Sequence, residues 1–261
     1  MSPSEKALVI EAAGVETLTD PLGEAERILR GADALGLTLR AAGGVAIALI
    51  CPSARKPPLK RIYNDIDFIC GTRQAHTVGA MLEVIGYSPH REFNAIHGQD
   101  RLFFNDVRRA REVDIFVDRI TGAHELKLTD RLQKAPQTLS PADLLLSKLQ
   151  VFETNTKDMI DVIALLSDQP LTADGSGIDL RHVCAVCGSD WGWWRTVTLV
   201  MDRVRVFARD GGFSELSSVV DEKLDLLAEA LETAPKSPRW KLRARLGERV
   251  RWYEVPEAVE H

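Results

Sequence analysis

The sequence predicts an α+β fold: a mixed sheet with helices, followed by an all-helical C-terminal domain. Three observations predict it. Short stretches at 64–69, 101–104 and 112–117 alternate or run apolar in the manner of strands, with helical patterns between them. From Ser140 onward almost every apolar residue recurs at helical spacing. The change is marked by Ser140-Pro141-Ala142-Asp143, with Ser as N-cap, Pro at the first helical position and an acid in the first turn. A length of 261 residues suits one large domain or two small ones. The boundaries read as 1–36 for an N-terminal tail and helix, 37–138 for the mixed core and 139–261 for the helical domain.

In chain order, residues 1–20 read as a tail. Leu22, Ala25, Ile28, Leu29 and Ala32 predict a helix over 22–35 that Gly36 ends. Residues 37–41 form a short strand that runs into Gly43-Gly44, and the apolar run 45–50 reads as a buried helix starting at the double glycine. A breaker-rich loop covers 52–58. Asn64-Asp65-Ile66-Asp67-Phe68-Ile69 has the alternation of a half-buried strand, and a helix over 74–85 is closed by Gly86. Two more strands are expected at 101–104 and 112–117, with Arg108, Arg109 and Arg111 in a solvated turn between them. Further helices are expected over 158–167, 191–208, 213–232 and 238–250.

Apolar residues at 45% and charged residues at 27% exclude a wholly disordered chain. No apolar run approaches the ~20 residues of a membrane helix, so no membrane partner is expected. The N-terminus shows no signal-peptide pattern, and four Cys make no disulfide framework, so a cytoplasmic location is expected. The net charge of −5 hides a segment of opposite sign: 236–251 holds seven basic residues and one acid, +6 in all, which leaves −11 for the rest. That segment reads either as a surface for an anionic acceptor such as RNA or as a solvated or acid-paired face.

The chemistry concentrates between residues 43 and 114. Residues two apart on a strand share a face, so Asp65 and Asp67 project together while Ile66 and Phe68 face the core. Two carboxylates on one face repel unless a cation lies between them, and oxygen ligands suit Mg²⁺. Asp114 sits in an apolar strand, Val113-Asp114-Ile115; if that strand pairs beside the first, three carboxylates converge. Such a cluster can hold two metals about 3.5–4 Å apart for phosphoryl transfer. Asp118 competes for the third place if the strand extends. A glycine pair at a strand-to-helix junction, Gly43-Gly44, lets backbone N–H groups approach a phosphate.

The ordered set of Gly43-Gly44, Arg61, Asp65-Ile66-Asp67-Phe68 and Val113-Asp114-Ile115 resembles the DNA polymerase beta-type nucleotidyltransferase superfamily. It is similar in particular to the AbiEii-like branch, which includes the nucleotidyltransferase toxins of bacterial toxin–antitoxin systems. Lys148 and Lys157-Asp158-Met159-Ile160-Asp161 stand in the order of that branch's later motifs, so the resemblance covers about residues 37–167. It implies transfer of a nucleoside monophosphate from an NTP such as ATP, with Mg²⁺ (or Mn²⁺), to RNA or another acceptor, and a cognate antitoxin as partner. By resemblance Asp65, Asp67 and Asp114 are catalytic and metal-binding, and Gly43, Gly44, Arg61, Lys148 and Asp161 are nucleotide-binding. The cleft between the two domains is expected to hold the NTP. Two alternatives stay open: a non-catalytic nucleotide- or nucleic-acid-binding protein of the same fold, and an antibiotic-type small-molecule nucleotidyltransferase.

Plainer readings stand beside these. Lys148 lies among leucines and can snorkel to solvent. Lys157 and Asp161, four apart, can form a surface ion pair; alternatively Asp161 orients Lys148 across the helix pair. Cys184 and Cys187 lack the further ligands of a zinc site. His76, His90, His97, His124 and His182 have no metal or catalytic spacing. The Trp191, Trp193 and Trp194 cluster reads as helix packing.

Overall fold

A computed structural model describes residues 1–255. The last six residues of the 139–261 segment lie outside the described residues. The chain is mixed α/β and divides into two units. Unit 1 comprises Met1–Ile50, Ile62–Ile120 and Lys127–Leu139; unit 2 takes Cys51–Arg61, Thr121–Leu126 and the chain from Ser140 onward.

Unit 1 begins with two helices, α1 (Pro3–Ala13) and α2 (Pro21–Ala34). The expected N-terminal tail is therefore folded. A capping box closes the start of α1: the Ser2 hydroxyl accepts from the Glu5 N–H, and the Glu5 carboxylate accepts from the Ser2 N–H. Arg27 of α2, 2% exposed, donates to both Glu24 oxygens at 2.8 and 2.7 Å and to the carbonyls of Ala13 and Ile85. A buried guanidinium satisfied on every side ties α1 to the body of the unit.

The sheet follows: β1 (Leu39–Ala42), α3 (Gly43–Ile50), β2 (Asp65–Cys70), α4 (Thr72–Val84), β3 (Ser88–Pro89), α5 (Arg91–His97), β4 (Arg101–Asp106) and β5 (Arg111–Val117). The strand order is β1-β2-β5-β4-β3, with β2 and β5 parallel and the other pairs antiparallel. The parallel central pair buries Ile66, Phe68, Val113, Ile115 and Val117, which fixes the register by keeping one face apolar. Helix α3 is apolar on all sides, and Val45, Ala46, Ile47 and Ala48 are buried accordingly. The expected solvated turn is only partly so. Arg108 and Arg109 are exposed, but Arg111 is the first residue of β5, buried against Asp106 at 3.0 Å. Asp118 does not extend the strand: with φ +62° it ends β5, and its carboxylate accepts from the N–H and hydroxyl of Thr72 at the start of α4.

Two short strands, β6 (Arg119–Thr121) and β7 (Glu125–Lys127), lead to unit 2, which is almost wholly helical. It holds α6 (Pro141–Leu149), α7 (Thr156–Asp168), the two-residue strands β8 (Leu171–Thr172) and β9 (Ile178–Asp179), then α8 (Leu180–Ser189), α9 (Trp191–Asp210), α10 (Ser214–Thr233) and α11 (Pro238–Ala244). Ser140 caps α6 as expected. The basic segment expected as one helix over 238–250 is α11 plus a short 3-10 turn at Gly247–Arg249. The tryptophans pack on one another edge to face: Trp194 against Trp240 at 5.4 Å between centroids, and Trp191 against Trp252 at 5.7 Å.

His124 stacks on Trp193 with centroids 5.0 Å apart and bonds Thr196 Oγ1 at 2.8 Å. Burial pushes its imidazole down to about 4. Its charged form is thus disfavoured in the folded state, so stability is full above the ordinary value of 6.5 and falls as pH drops through 4. We expect a loss of up to about 3 kcal/mol across that window. His124→Gln should flatten the pH dependence of denaturant midpoints there; an unchanged profile would place the acid sensitivity elsewhere.

Candidate functional site

The parallel register sets Asp67 directly beside Asp114, and Asp65 beside Glu112. With side chains alternating along each strand, four carboxylates share one face of the central pair. Asp65 is exposed, Asp67 half-buried and Asp114 only 6% exposed. Glu112 was not singled out in the sequence, although its place two residues before Asp114 put it on that face.

The β1–α3 turn abuts Asp67. Ala42 pairs with Asp67 across the antiparallel ladder, and Gly43 follows at φ +60°. A Cβ at position 43 would stand 2.0 Å from Asp67 Oδ2. Gly43 therefore combines two features that favour glycine: it adopts the left-handed backbone and leaves room for a carboxylate. Gly44 is buried in the first turn of α3.

Asp114 is not open. Arg101, on the neighbouring β4, donates Nε to Asp114 Oδ1 at 2.6 Å and Nη2 to Oδ2 at 2.7 Å. The guanidinium also lies over the rings of Phe116 at 5.3 Å and Phe93 at 5.9 Å. Burial works against the charge on Arg101, but Asp114, and then Asp67 and Glu112, outweigh it and hold the group above its usual range. Sequence reasoning missed Arg101, because nothing local marks a strand residue that bonds a carboxylate 13 positions away.

These contacts test the expected three-carboxylate metal centre. Asp65 and Asp67 share one strand face beside the Gly43 turn. Asp114 is withheld from such a centre, since both of its oxygens are engaged by Arg101. Among the described residues, no group of three or more His, Cys, Asp and Glu is disposed to hold a metal ion.

The remaining expected residues, Arg61, Lys148 and Asp161, come together within unit 2. Arg61 forms a bidentate pair with Asp161 at 2.9 and 2.8 Å. Lys148 Nζ lies 2.7 Å from Asp158 Oδ1 and 2.9 Å from Asp161 Oδ2. Asp161 thus meets Lys148 across α6 and α7, and Lys157 is exposed. Burial acts to lower the Lys148 ammonium, and the charges of Asp161 and Asp158 overcome it and raise it well above its ordinary value. Two cations and two carboxylates balance in this cluster.

Thiol chemistry is disfavoured: burial pushes Cys51 and Cys70 up to about 12, and Cys187 is buried within α8. No helix among the described residues is long and apolar enough to cross a membrane. No protein-family model matches the chain, and no curated protein is similar to it at a significant level.

Proposed function

We propose that the chain is a nucleotidyltransferase of the DNA polymerase beta-type superfamily, moving a nucleoside monophosphate from an NTP to an acceptor hydroxyl. The observation that carries this reading is the in-register pairing of β2 with β5, with Asp67 and Asp114 side by side next to the Gly43 turn. In the reaction the acceptor oxygen bonds to the α-phosphorus, the bond to the β-phosphate bridge breaks, pyrophosphate leaves and the hydroxyl proton passes to water. Asp65 and Asp67 are the residues suited to Mg²⁺, or Mn²⁺, whose charge would offset that of the phosphates. The N–H groups opening α3 favour the anionic oxygens of the phosphate-bearing substrate. Arg61, Lys148 and Asp161 enter the nucleotide site only through the family resemblance, as does a cognate antitoxin partner.

RNA is the acceptor the charge distribution favours. In the basic segment Arg239, Lys241, Arg245, Arg249 and Arg251 are exposed. Of these, Arg239 lies 4.0 Å from Asp190 and Arg251 over the Tyr253 ring; Lys236 donates to the Leu231 and Ala234 carbonyls at the end of α10, and Arg243 to those of Gly247 and Val250. One observation favours a second reading, a nucleotide-binding protein without transfer: the engagement of Asp114 by Arg101.

The test is incubation with each α-labelled NTP, Mg²⁺ and total RNA. We expect label in RNA, reduced at least 100-fold in Asp65→Asn and Asp67→Asn, with both variants folded. Nucleotide binding without label transfer would establish the second reading. Wild-type turnover in both variants would remove these carboxylates from the site.

A further inference from the structure

We propose that a cavity at the start of β1 binds a small organic anion, a singly charged carboxylate with an apolar body, through the guanidinium of Arg40. The cavity measures about 510 Å³ and belongs wholly to unit 1, lined by the end of α2, the start of β1 and the segment 133–136. Arg40 is part of that lining and is only 7% exposed. The fold uses half of its guanidinium. Nε donates to the Leu132 carbonyl at 2.7 Å and Nη1 to the Leu39 carbonyl at 2.8 Å, both neutral acceptors. Nη2 donates to nothing among the described residues, and Asp33 acts on the group through space without an ion-pair contact. Buried cations are ordinarily paired with carboxylates. The other buried or half-buried guanidinia of this unit obey that rule: Arg27 sits on Glu24, Arg101 on Asp114 and Arg111 on Asp106. Arg40 departs from it. Burial pulls its guanidinium below the usual range, and Asp33 offsets only part of that cost. A carboxylate seated in the cavity supplies the missing charge, in the planar form that a guanidinium favours. Lys134, exposed in the same lining, adds a second cation against the one acid, Asp33, so the wall carries a single net positive charge. One negative charge balances it, whereas a dianionic phosphate overshoots and meets Asp33. Leu37, Ala135 and Pro136 give the ligand's body an apolar wall. The acidic face has no part in this site: Arg40 pairs with Ile69 in the β1–β2 ladder, two residues before Ala42 meets Asp67.

Benzoate is the probe, and neutral benzamide, of nearly the same shape, is its control. Titration of the isotopically labelled full chain, followed through its amide resonances, is expected to show saturable benzoate binding with a dissociation constant of about 1 mM or tighter. The amides of Leu37, Gln133 and Ala135 should be among those that move. Benzamide should bind at least about tenfold more weakly, the size of a lost hydrogen bond to a charged group. Arg40→Gln should weaken benzoate by at least about tenfold for the same reason. Lys134→Ala should weaken it and Asp33→Asn tighten it, each by about threefold, as exposed charges do. Inorganic phosphate should displace benzoate only at about tenfold higher concentration or more, because of Asp33. The proposal is overturned if the wild type binds no benzoate, if benzamide binds equally well, if the shifts fall away from this cavity, or if Arg40→Gln binds as the wild type does. Displacement by phosphate at equal concentration would overturn the carboxylate assignment. Should Arg40→Gln fail to fold, Lys134→Ala and Asp33→Asn, both at exposed positions, decide by the opposite signs of their effects.

Discussion

Lys148→Met is expected to destabilise the protein by about 3–5 kcal/mol, because it leaves Asp158 and Asp161 with one cation where there were two. Asp161 is 1% exposed, so water cannot replace the lost ammonium. For a chain of this size the melting temperature should fall by on the order of 10 °C. Lys148 is raised in the folded state, so its contribution is complete below the ordinary lysine value and lost only as pH climbs through the higher folded one. The variant should therefore differ from wild type by the same amount at pH 7 and pH 9. Differential scanning calorimetry at both values measures this. A Lys148→Met protein that melts like the wild type but no longer binds NTP would make the ammonium a phosphate ligand instead of a structural partner.

Gly43→Ala is expected to lower nucleotide transfer about 100-fold or more. Two costs arise together. The left-handed backbone at φ +60° disfavours any side chain by roughly 1–2 kcal/mol. The new Cβ also collides with Asp67 Oδ2, so the carboxylate must move, and a displacement near 1 Å at a reacting centre costs about 10²-fold in rate. Gly36→Ala separates the two effects. Gly36 has nearly the same backbone, φ +64°, but nothing lies within 4 Å of its added Cβ. It should carry the strain alone, with a small drop in melting temperature and full activity. Equal activity losses in the two variants would mean that general destabilisation, and not Asp67, explains the effect at position 43.

Much of this was legible in the sequence because it depends on local period. Alternation along 64–69 and 112–117 put Asp65, Asp67 and Asp114 on polar faces of two strands, and the apolar run after Gly43-Gly44 marked α3. Ser2 and Glu5, with Pro3 between them, carry the capping-box signal of α1, so the expected tail had a local helix start within it. What could not be read were partners distant in sequence. Arg101 and Asp114 meet only because β4 lies antiparallel to β5. Arg61 meets Asp161 a hundred residues on, through a proline-rich loop whose composition says turn and nothing of where the turn leads. Arg111 looked solvated because its neighbours are; its burial comes from Asp106 and the Leu18 carbonyl.

The interleaving of the two units bears on how the protein can be divided. A fragment beginning at Ser140 contains every long helix of unit 2 but lacks Cys51–Arg61 and Thr121–Leu126. It loses the Arg61 guanidinium from Asp161, the Ser53 N–H from the Asp168 carboxylate and the His124 N–H from Gln150. Its buried ion cluster is left with one positive charge against two negative. The helical half is thus not a cassette that recombination can lift out in one piece. A crossover at residue 139 parts Arg61 from Asp161, so two parental halves joined there must agree in charge at both positions.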